Sequence, residues 1–241
     1  MSAPDLRVSN TAEECARACG LFILQELEEV LKLRPRATLA ISGGSTPKPL
    51  FAFLAKAEID WSRIHIFWVD ERCVPPYDPQ SNFKLANETL LTPAGVPHRS
   101  IHRICGELTP EEAAVHYIEE ISRFFELNPQ SVPVFDLVHR GIGPDAHTAS
   151  LFPGEPLIGN RTGIAAAVWV EKLHSHRVTL LPGVLIAAGR TVLQVAGEDK
   201  ADAVHNVLQG PEDPFQFPCQ IATRGSTKAT WFLDKSAAAK V

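Results

Sequence analysis

Three short segments combine residue types that do chemistry with a spacing a fold can exploit. The first is Ser42-Gly43-Gly44-Ser45-Thr46-Pro47. Paired glycines let the backbone turn tightly and bring its N–H groups close to a ligand, and a helix start adds oriented donors that suit a phosphate. The Walker lysine is absent, and a plain strand-to-helix turn with Thr46 as N-cap is the competing expectation. The second is Asp70-Glu71-Arg72, which closes an apolar run. It reads either as a solvated strand end or as an arginine placed to fork an anion at the crevice of a parallel sheet. The third is Asp145-Ala146-His147. A histidine there can serve as general base with the aspartate orienting it, or Asp145 can simply cap a helix whose first turn exposes His147.

The stretch Gly141-x-Gly143-x-x-Ala146 formally satisfies the dinucleotide-binding pattern. That pattern needs an acid about twenty positions on, where Ala165-Ala166-Ala167 stand and the next acid is Glu171. The match also lies mid-chain rather than at a first strand, so dinucleotide binding is discounted. Two more cations deserve a place. Arg177 opens Arg-Val-Thr-Leu-Leu, and Lys200 sits in Gly197-Glu-Asp-Lys-Ala. Either is an ordinary surface charge or, at the strand ends of one sheet, a partner of the same anion site.

The elements that must carry these residues follow from periodicity and punctuation. Thr11-Ala-Glu-Glu14 is a capping box that opens an amphipathic helix reaching about Leu33, and Arg34-Pro35-Arg36 ends it. Strands are expected at Thr38–Ser42, Ile64–Val69, Val134–Val138, Gly163–Val170, Arg177–Leu181, Thr191–Ala196 and Ala229–Leu233. Helices are expected from Pro47, from about Asn82 to Leu91, after the Thr109-Pro110-Glu111-Glu112 cap, after the strands at 177 and 191, and briefly at the C-terminus. The proline-rich stretch Val74–Ser81 is long enough to act as a lid. Alternation of strand and helix, with several strands apolar on both faces, predicts an α/β fold with a mostly parallel sheet between helical layers. No repeat or linker interrupts it, so residues 1–241 are expected to form a single domain.

Composition narrows the partners. Of 241 residues, 45% are hydrophobic and 21% charged, with a net charge of −5. No basic field advertises nucleic acid or an anionic membrane, so an anionic substrate needs a local cluster of cations. The five cysteines are scattered; Cys15 and Cys19 share a helix face without a second pair, which predicts core packing rather than metal binding. With no signal-like N-terminus and no membrane-length apolar run, the reading is cytoplasmic.

Taken together, LAISGGSTPK, FWVDERCVPPYDPQSNF, VFDLV…GIGPDAHTASLFPG, RVTL.P, GEDKA and TWFLD resemble, in fixed order over nearly the whole chain, the 6-phosphogluconolactonase family, related to the glucosamine-6-phosphate deaminases. The resemblance implies a three-layer α/β sandwich with a Rossmann-like sheet, no metal and no cofactor, and a place in the oxidative pentose phosphate pathway. It implies hydrolysis of a phosphorylated sugar lactone, with no nucleic-acid, membrane or protein partner indicated. Carried over, Gly43, Gly44, Ser45 and Thr46 cradle the phosphate, with Arg72, Arg177 and Lys200 as clamps. His147 becomes the base, with Asp145 and Asp70 beside it. The deaminase relatives place a glutamate five positions after the histidine, where this chain has Phe152, and an aromatic residue where it has Arg72; both favour the lactonase over the deaminase. A sugar-phosphate-binding protein without turnover is the non-enzyme alternative. Two departures from the family stand out. Ala146 replaces a customary glycine, which matters if that position needs positive φ. His139-Arg140 replaces two apolar residues, expected either to emerge into water or to place one head in the pocket.

Overall fold

The computed structural model describes residues 4–224, 226 and 228–241. The first long helix, α1 (Ala12–Leu33), starts as its capping box dictates: Thr11 Oγ1 accepts the Glu14 N–H at 3.1 Å, and the Glu14 carboxylate takes the Asn10 N–H at 2.9 Å. Cys15, Cys19, Ile23 and Leu27 form its buried stripe. The other capping box likewise opens α4 (Pro110–Phe125).

Seven strands form one wholly parallel sheet: β1 (Asp5–Ser9), β2 (Ala37–Ile41), β3 (Ile64–Trp68), β5 (Ile101–His102), β6 (Leu137–Arg140), β9 (Arg190–Val195) and β10 (Ala229–Asp234). Their spatial order is β1-β10-β9-β6-β2-β3-β5. From β2 the chain moves outward to β3 and β5, then returns to lay β6 on the opposite side of β2. The order therefore reverses between β2 and β6, and the loops leaving their C-terminal ends, Ser42–Pro47 and Gly141–His147, flank a crevice. Strand β2 is buried at every position, as a strand covered on both faces must be. Helices α2 (Lys48–Leu54), α5 (Pro182–Ala187) and α6 (Ala201–Leu208) come after Ile41, Leu180 and Val195 respectively.

A smaller antiparallel sheet stands apart. It joins β4 (Asp70–Arg72) to β8 (Ser175–Leu180) and β8 to β7 (Ala165–Val170). The sequence reading placed Arg177 at a strand end of the one parallel sheet; it lies instead within this second sheet, paired in register with Arg72. The charged triplet is thus a strand in its own right. Tyr117 of α4 anchors the step between the sheets: its hydroxyl donates to the Trp68 carbonyl at 2.7 Å and accepts the Trp68 N–H at 2.9 Å.

Other expectations are corrected. Strand β1 was not foreseen, because DLRVS is an edge strand with three of five positions exposed. Residues 134–136 lie outside β6, since the Asp136 carboxylate leaves the ladder to bind the Thr38 N–H and hydroxyl at 2.8 and 2.9 Å. The strand consequently runs on through His139 and Arg140, which are 1% and 0% exposed, so neither reaches water. The 82–91 helix is α3 (Asn82–Ala86) followed by a wider turn, Asn87–Leu91. The C-terminal helix is a run of turns, and no helix begins at Asp145. Among the described residues no helix is long and apolar enough to cross a membrane.

Candidate functional site

A cleft of about 210 Å³ opens between the β2 and β6 loops. Every candidate site residue named from the sequence lines it except Asp145: Gly43, Gly44, Ser45, Thr46, Asp70, Arg72, His147, Arg177 and Lys200. Asp145 stands behind His147. A larger cavity of about 610 Å³ lies beyond Asp145, walled by Phe152, Trp169 and Phe217, and reaches neither His147 nor the glycine loop.

The glycine loop is shaped by sterics. A Cβ at Gly43 would sit 1.8 Å from Asn82 Oδ1, and Gly44 has φ +98°, so each position requires glycine. Asn82 is held in turn, donating from Nδ2 to the Asp70 carbonyl at 2.9 Å. Thr46 does not cap α2; the N-cap is Pro47, without a side-chain bond. The Thr46 carbonyl instead receives Gln194 Nε2 at 3.2 Å.

The cations gather beside this loop. Arg72 and Arg177 are cross-strand partners, so two guanidiniums share one face, an arrangement that favours a bound anion. Burial pushes Arg177 below its ordinary range, Asp70 opposes that fall and Arg72 adds to it. Asp70 Oδ2 lies 3.8 Å from Arg177 and accepts the Ser150 hydroxyl at 2.7 Å. The buried Glu71 carboxylate accepts the N–H groups of Arg72, Asn82 and Phe83 and the Ser81 hydroxyl. It thereby ties down the end of the proline-rich loop, while Arg72 binds the Gln80 carbonyl. Lys200 pairs with Asp199 at 2.7 Å.

The His147 turn is held by bonds and by a second steric demand. His147 Nδ1 lies 2.5 Å from Asp145 Oδ1, whose other oxygen accepts Lys172 Nζ at 2.9 Å. Burial opposes ionisation of Asp145, but the bonds from His147 and Lys172 outweigh it and hold the carboxyl well below the usual carboxylate range. A carboxylate only accepts, so Nδ1 carries the proton and neutral His147 keeps its lone pair on Nε2. A Cβ at Gly143 would come within 2.0 Å of the imidazole; the glycine that mimics a dinucleotide pattern is there to seat His147. Phe152 stacks on the ring with centroids 4.1 Å apart. Ala146 has φ +64°, the left-handed region, where a non-glycine residue costs on the order of 1–2 kcal/mol. The turn keeps its shape because Gly143 N–H binds the His147 carbonyl and Cys219 N–H binds the Ala146 carbonyl, both at 2.9 Å.

Residues the sequence did not mark also build the site. Lys172 and Gln194 reach it from segments with no motif to single them out, while Ser150 and Asn82 lie within the motifs GIGPDAHTASLFPG and FWVDERCVPPYDPQSNF without having been assigned a role. Among the described residues no group of three or more His, Cys, Asp or Glu is placed to hold a metal ion.

Fold and cleft define a Rossmann-like α/β protein in which an anion cradle meets an Asp–His pair at the strand-order reversal. Residues 10–231 match the family described as glucosamine-6-phosphate isomerases/6-phosphogluconolactonase. A 6-phosphogluconolactonase of Nostoc sp. is 35% identical over 228 residues, covering 94% of this chain and 93% of its own. One of Synechocystis sp. is 34% identical over 237 residues, covering 98% and 97%. The crystal structure of 6-phosphogluconolactonase from Thermotoga maritima superposes with a TM-score of 0.81 at 28% identity, covering 96% of this chain and 99% of that one. A monomeric glucosamine-6-phosphate deaminase shares the fold, with a TM-score of 0.83 at 19% identity. The chain belongs to the glucosamine-6-phosphate isomerase/6-phosphogluconolactonase family.

Proposed function

We propose that this protein hydrolyses 6-phospho-D-glucono-1,5-lactone to 6-phospho-D-gluconate, a step of the oxidative pentose phosphate pathway. The observation that carries the reading is the setting of His147: Asp145 occupies its Nδ1, and the residue borders the cleft that holds the cations. The N–H groups of Gly43–Thr46, with Arg72, Arg177 and Lys200, take the phosphate, and Asp70 steadies Arg177. His147 Nε2 removes a proton from water as its oxygen bonds to the lactone carbonyl carbon. The negative charge that builds on the carbonyl oxygen calls for a hydrogen-bond donor at the end of the cleft away from the phosphate. Collapse breaks the bond to the ring oxygen, which receives the proton from His147, and the new carboxylic acid releases a proton to solvent.

Phe152 favours this reading over the deaminase chemistry of the same family. It fills the position of that reaction's glutamate and faces His147 as an apolar wall. Its ring has no proton to exchange.

The test is acid release from fresh 6-phosphogluconolactone, compared with the spontaneous rate. Wild-type protein should accelerate it, and His147→Ala should lose about 10²–10⁴-fold in kcat with the product's binding largely kept. Acceleration retained by the variant would remove His147 from the mechanism. No acceleration by folded wild type would remove the lactonase reading itself.

A further inference from the structure

Lys200 enters the cleft from a turn rather than from a strand. Arg72 and Arg177 are aimed by the register of β4 and β8, but no ladder sets the direction of Lys200. A lysine head is a point charge on a flexible stem, and it grips an anion only as well as it is aimed. Ordering a turn costs conformational entropy, so a turn that presents a ligand group in one direction needs bonds of its own.

Asp234, the last residue of β10, supplies them. Strand β10 lies beside β9 with Leu233 opposite Val195, so the carboxylate stands next to the chain just after β9 ends. It accepts the Gly197 N–H, with its oxygens at 3.1 and 3.2 Å, and the Gly197 carbonyl accepts the Lys200 N–H at 3.1 Å. Two bonds in series thus join Asp234 to the backbone of Lys200. The first is charge-assisted, which makes it one of the stronger kind. Gly197 has φ +103°, and a Cβ there would meet Asp199 Oδ1 at 2.7 Å, so the turn has a form that glycine takes without strain. Asp234 is 6% exposed and is not a cleft-lining residue, so it acts on the cleft through this turn. It also accepts the Ala237 N–H at 2.7 Å, a second duty that any test must separate from the first.

We propose that Asp234 is a positioning residue for phosphate binding: by holding the Gly197–Lys200 turn it aims the Lys200 ammonium into the cleft. The proposal rests on the phosphosugar reading above, in which Lys200 takes the phosphate. It predicts a sign that charge alone reverses. A carboxylate behind an anion site repels the anion, so on Coulomb grounds its loss tightens binding. As a positioning group, its loss weakens binding.

The experiment is a pair of double-mutant cycles read by calorimetric binding of 6-phosphogluconate, which needs no turnover, with Tm recorded for each protein. Lys200→Ala should raise Kd about tenfold, the scale of one charge-assisted hydrogen bond, and Asp234→Ala about three- to fivefold. In the Lys200→Ala background, Asp234→Ala should cost less than about twofold, because the group it aims is gone. In an Arg72→Ala background it should cost its full three- to fivefold, about the same as in wild type, since Arg72 stands on the other sheet. With 6-phosphogluconolactone, Asp234→Ala should raise KM by the same factor and leave kcat within about threefold. Asp234→Asn keeps the shape and one acceptor oxygen; it should weaken binding by about twofold, and it carries the same cycles if Asp234→Ala melts below the assay temperature. Equal losses in the Lys200→Ala and Arg72→Ala backgrounds would show that Asp234 merely caps the C-terminal turns, and would overturn the proposal. Tighter binding by Asp234→Asn would overturn it as well, leaving only a charge effect. Absence of 6-phosphogluconate binding by folded wild type is a different result: it removes the phosphosugar reading, and this proposal with it.

Discussion

Among the described residues, two histidine–carboxylate pairs share nearly the same construction. In the cleft, His147 Nδ1 meets Asp145 at 2.5 Å and the ring stacks on Phe152 with centroids 4.1 Å apart. At the β5 edge of the large sheet, His102 Nδ1 meets Glu120 at 2.7 Å and the ring stacks on Phe67 at 4.2 Å. The difference lies at the far nitrogen. His102 Nε2 takes a hydrogen bond from His65 Nδ1 at 2.9 Å, so its lone pair is used within the fold, whereas His147 borders the cleft. A carboxylate behind an imidazole fixes a tautomer in both places. Only where the second nitrogen faces a ligand does that tautomer become a base.

Neutralising each carboxylate should break the symmetry. Asp145→Asn keeps the shape but can present an N–H to His147 Nδ1, favouring the tautomer whose proton sits on Nε2. It should cost about 10²-fold or more in kcat. Glu120→Gln makes the same change at His102 and should leave kcat within about twofold, with its effect confined to Tm. Steady-state acid release and thermal melts of both variants decide the matter. A comparable drop in kcat for Glu120→Gln would mean that the two pairs are functionally linked and that the contrast is wrong.

A smaller effect separates the two regions by pH. Burial first, then His102, Arg36 and Arg99, push His65 down to about 4. The unfolded value is near 6.5, so between those values the unfolded chain binds the extra proton. The contribution of neutral His65 to stability is present above about pH 6.5 and is lost as pH falls toward 4. Wild type should therefore melt at lower temperature at pH 5 than at pH 7, and His65→Leu should show a shallower decline. An unchanged slope in the variant would mean that the β5 cluster does not carry the acid sensitivity. His139, also held near 4 by burial, should leave a residual slope in that variant.

How much of this was legible depended on whether a residue's role was local. Gly44 and His147 lie in contiguous motifs at strand ends, where the demands on them are local: a positive φ at Gly44, and Gly143 and Asp145 beside His147. Parallel strands such as β2 announced themselves by apolar residues on both faces. The β4–β8 pairing was hidden because Arg72 and Arg177 are 105 positions apart, and nothing local in either segment specifies an antiparallel partner. Lys172 and Gln194 were hidden for the same reason. The burial of His139-Arg140 ran against composition: two basic residues at a strand end suggest emergence, yet β6 sits centrally between β2 and β9, and among the described residues Arg140 hydrogen-bonds only the Ile221 carbonyl, at 2.7 Å.

The smallest expected effect concerns the strain that only the cleft pair carries. His102 sits on a regular strand, whereas His147 follows Ala146, at φ +64° and 1% exposed. Ala146→Gly should relieve about 1–2 kcal/mol of left-handed strain. It also gives up about 0.4–1 kcal/mol through the greater freedom of the unfolded chain, and up to roughly 0.8 kcal/mol for one buried methyl against Ile142 and Cys219. These terms nearly cancel, so Tm should move by no more than a few degrees. Activity should stay within about twofold, because the Gly143–His147 and Cys219–Ala146 backbone bonds and the Asp145 contact already fix the ring. A gain of tenfold or more in kcat on making the glycine would mean that alanine holds His147 off its productive position. The turn, rather than the Asp145 bond, would then set how well this histidine serves as a base.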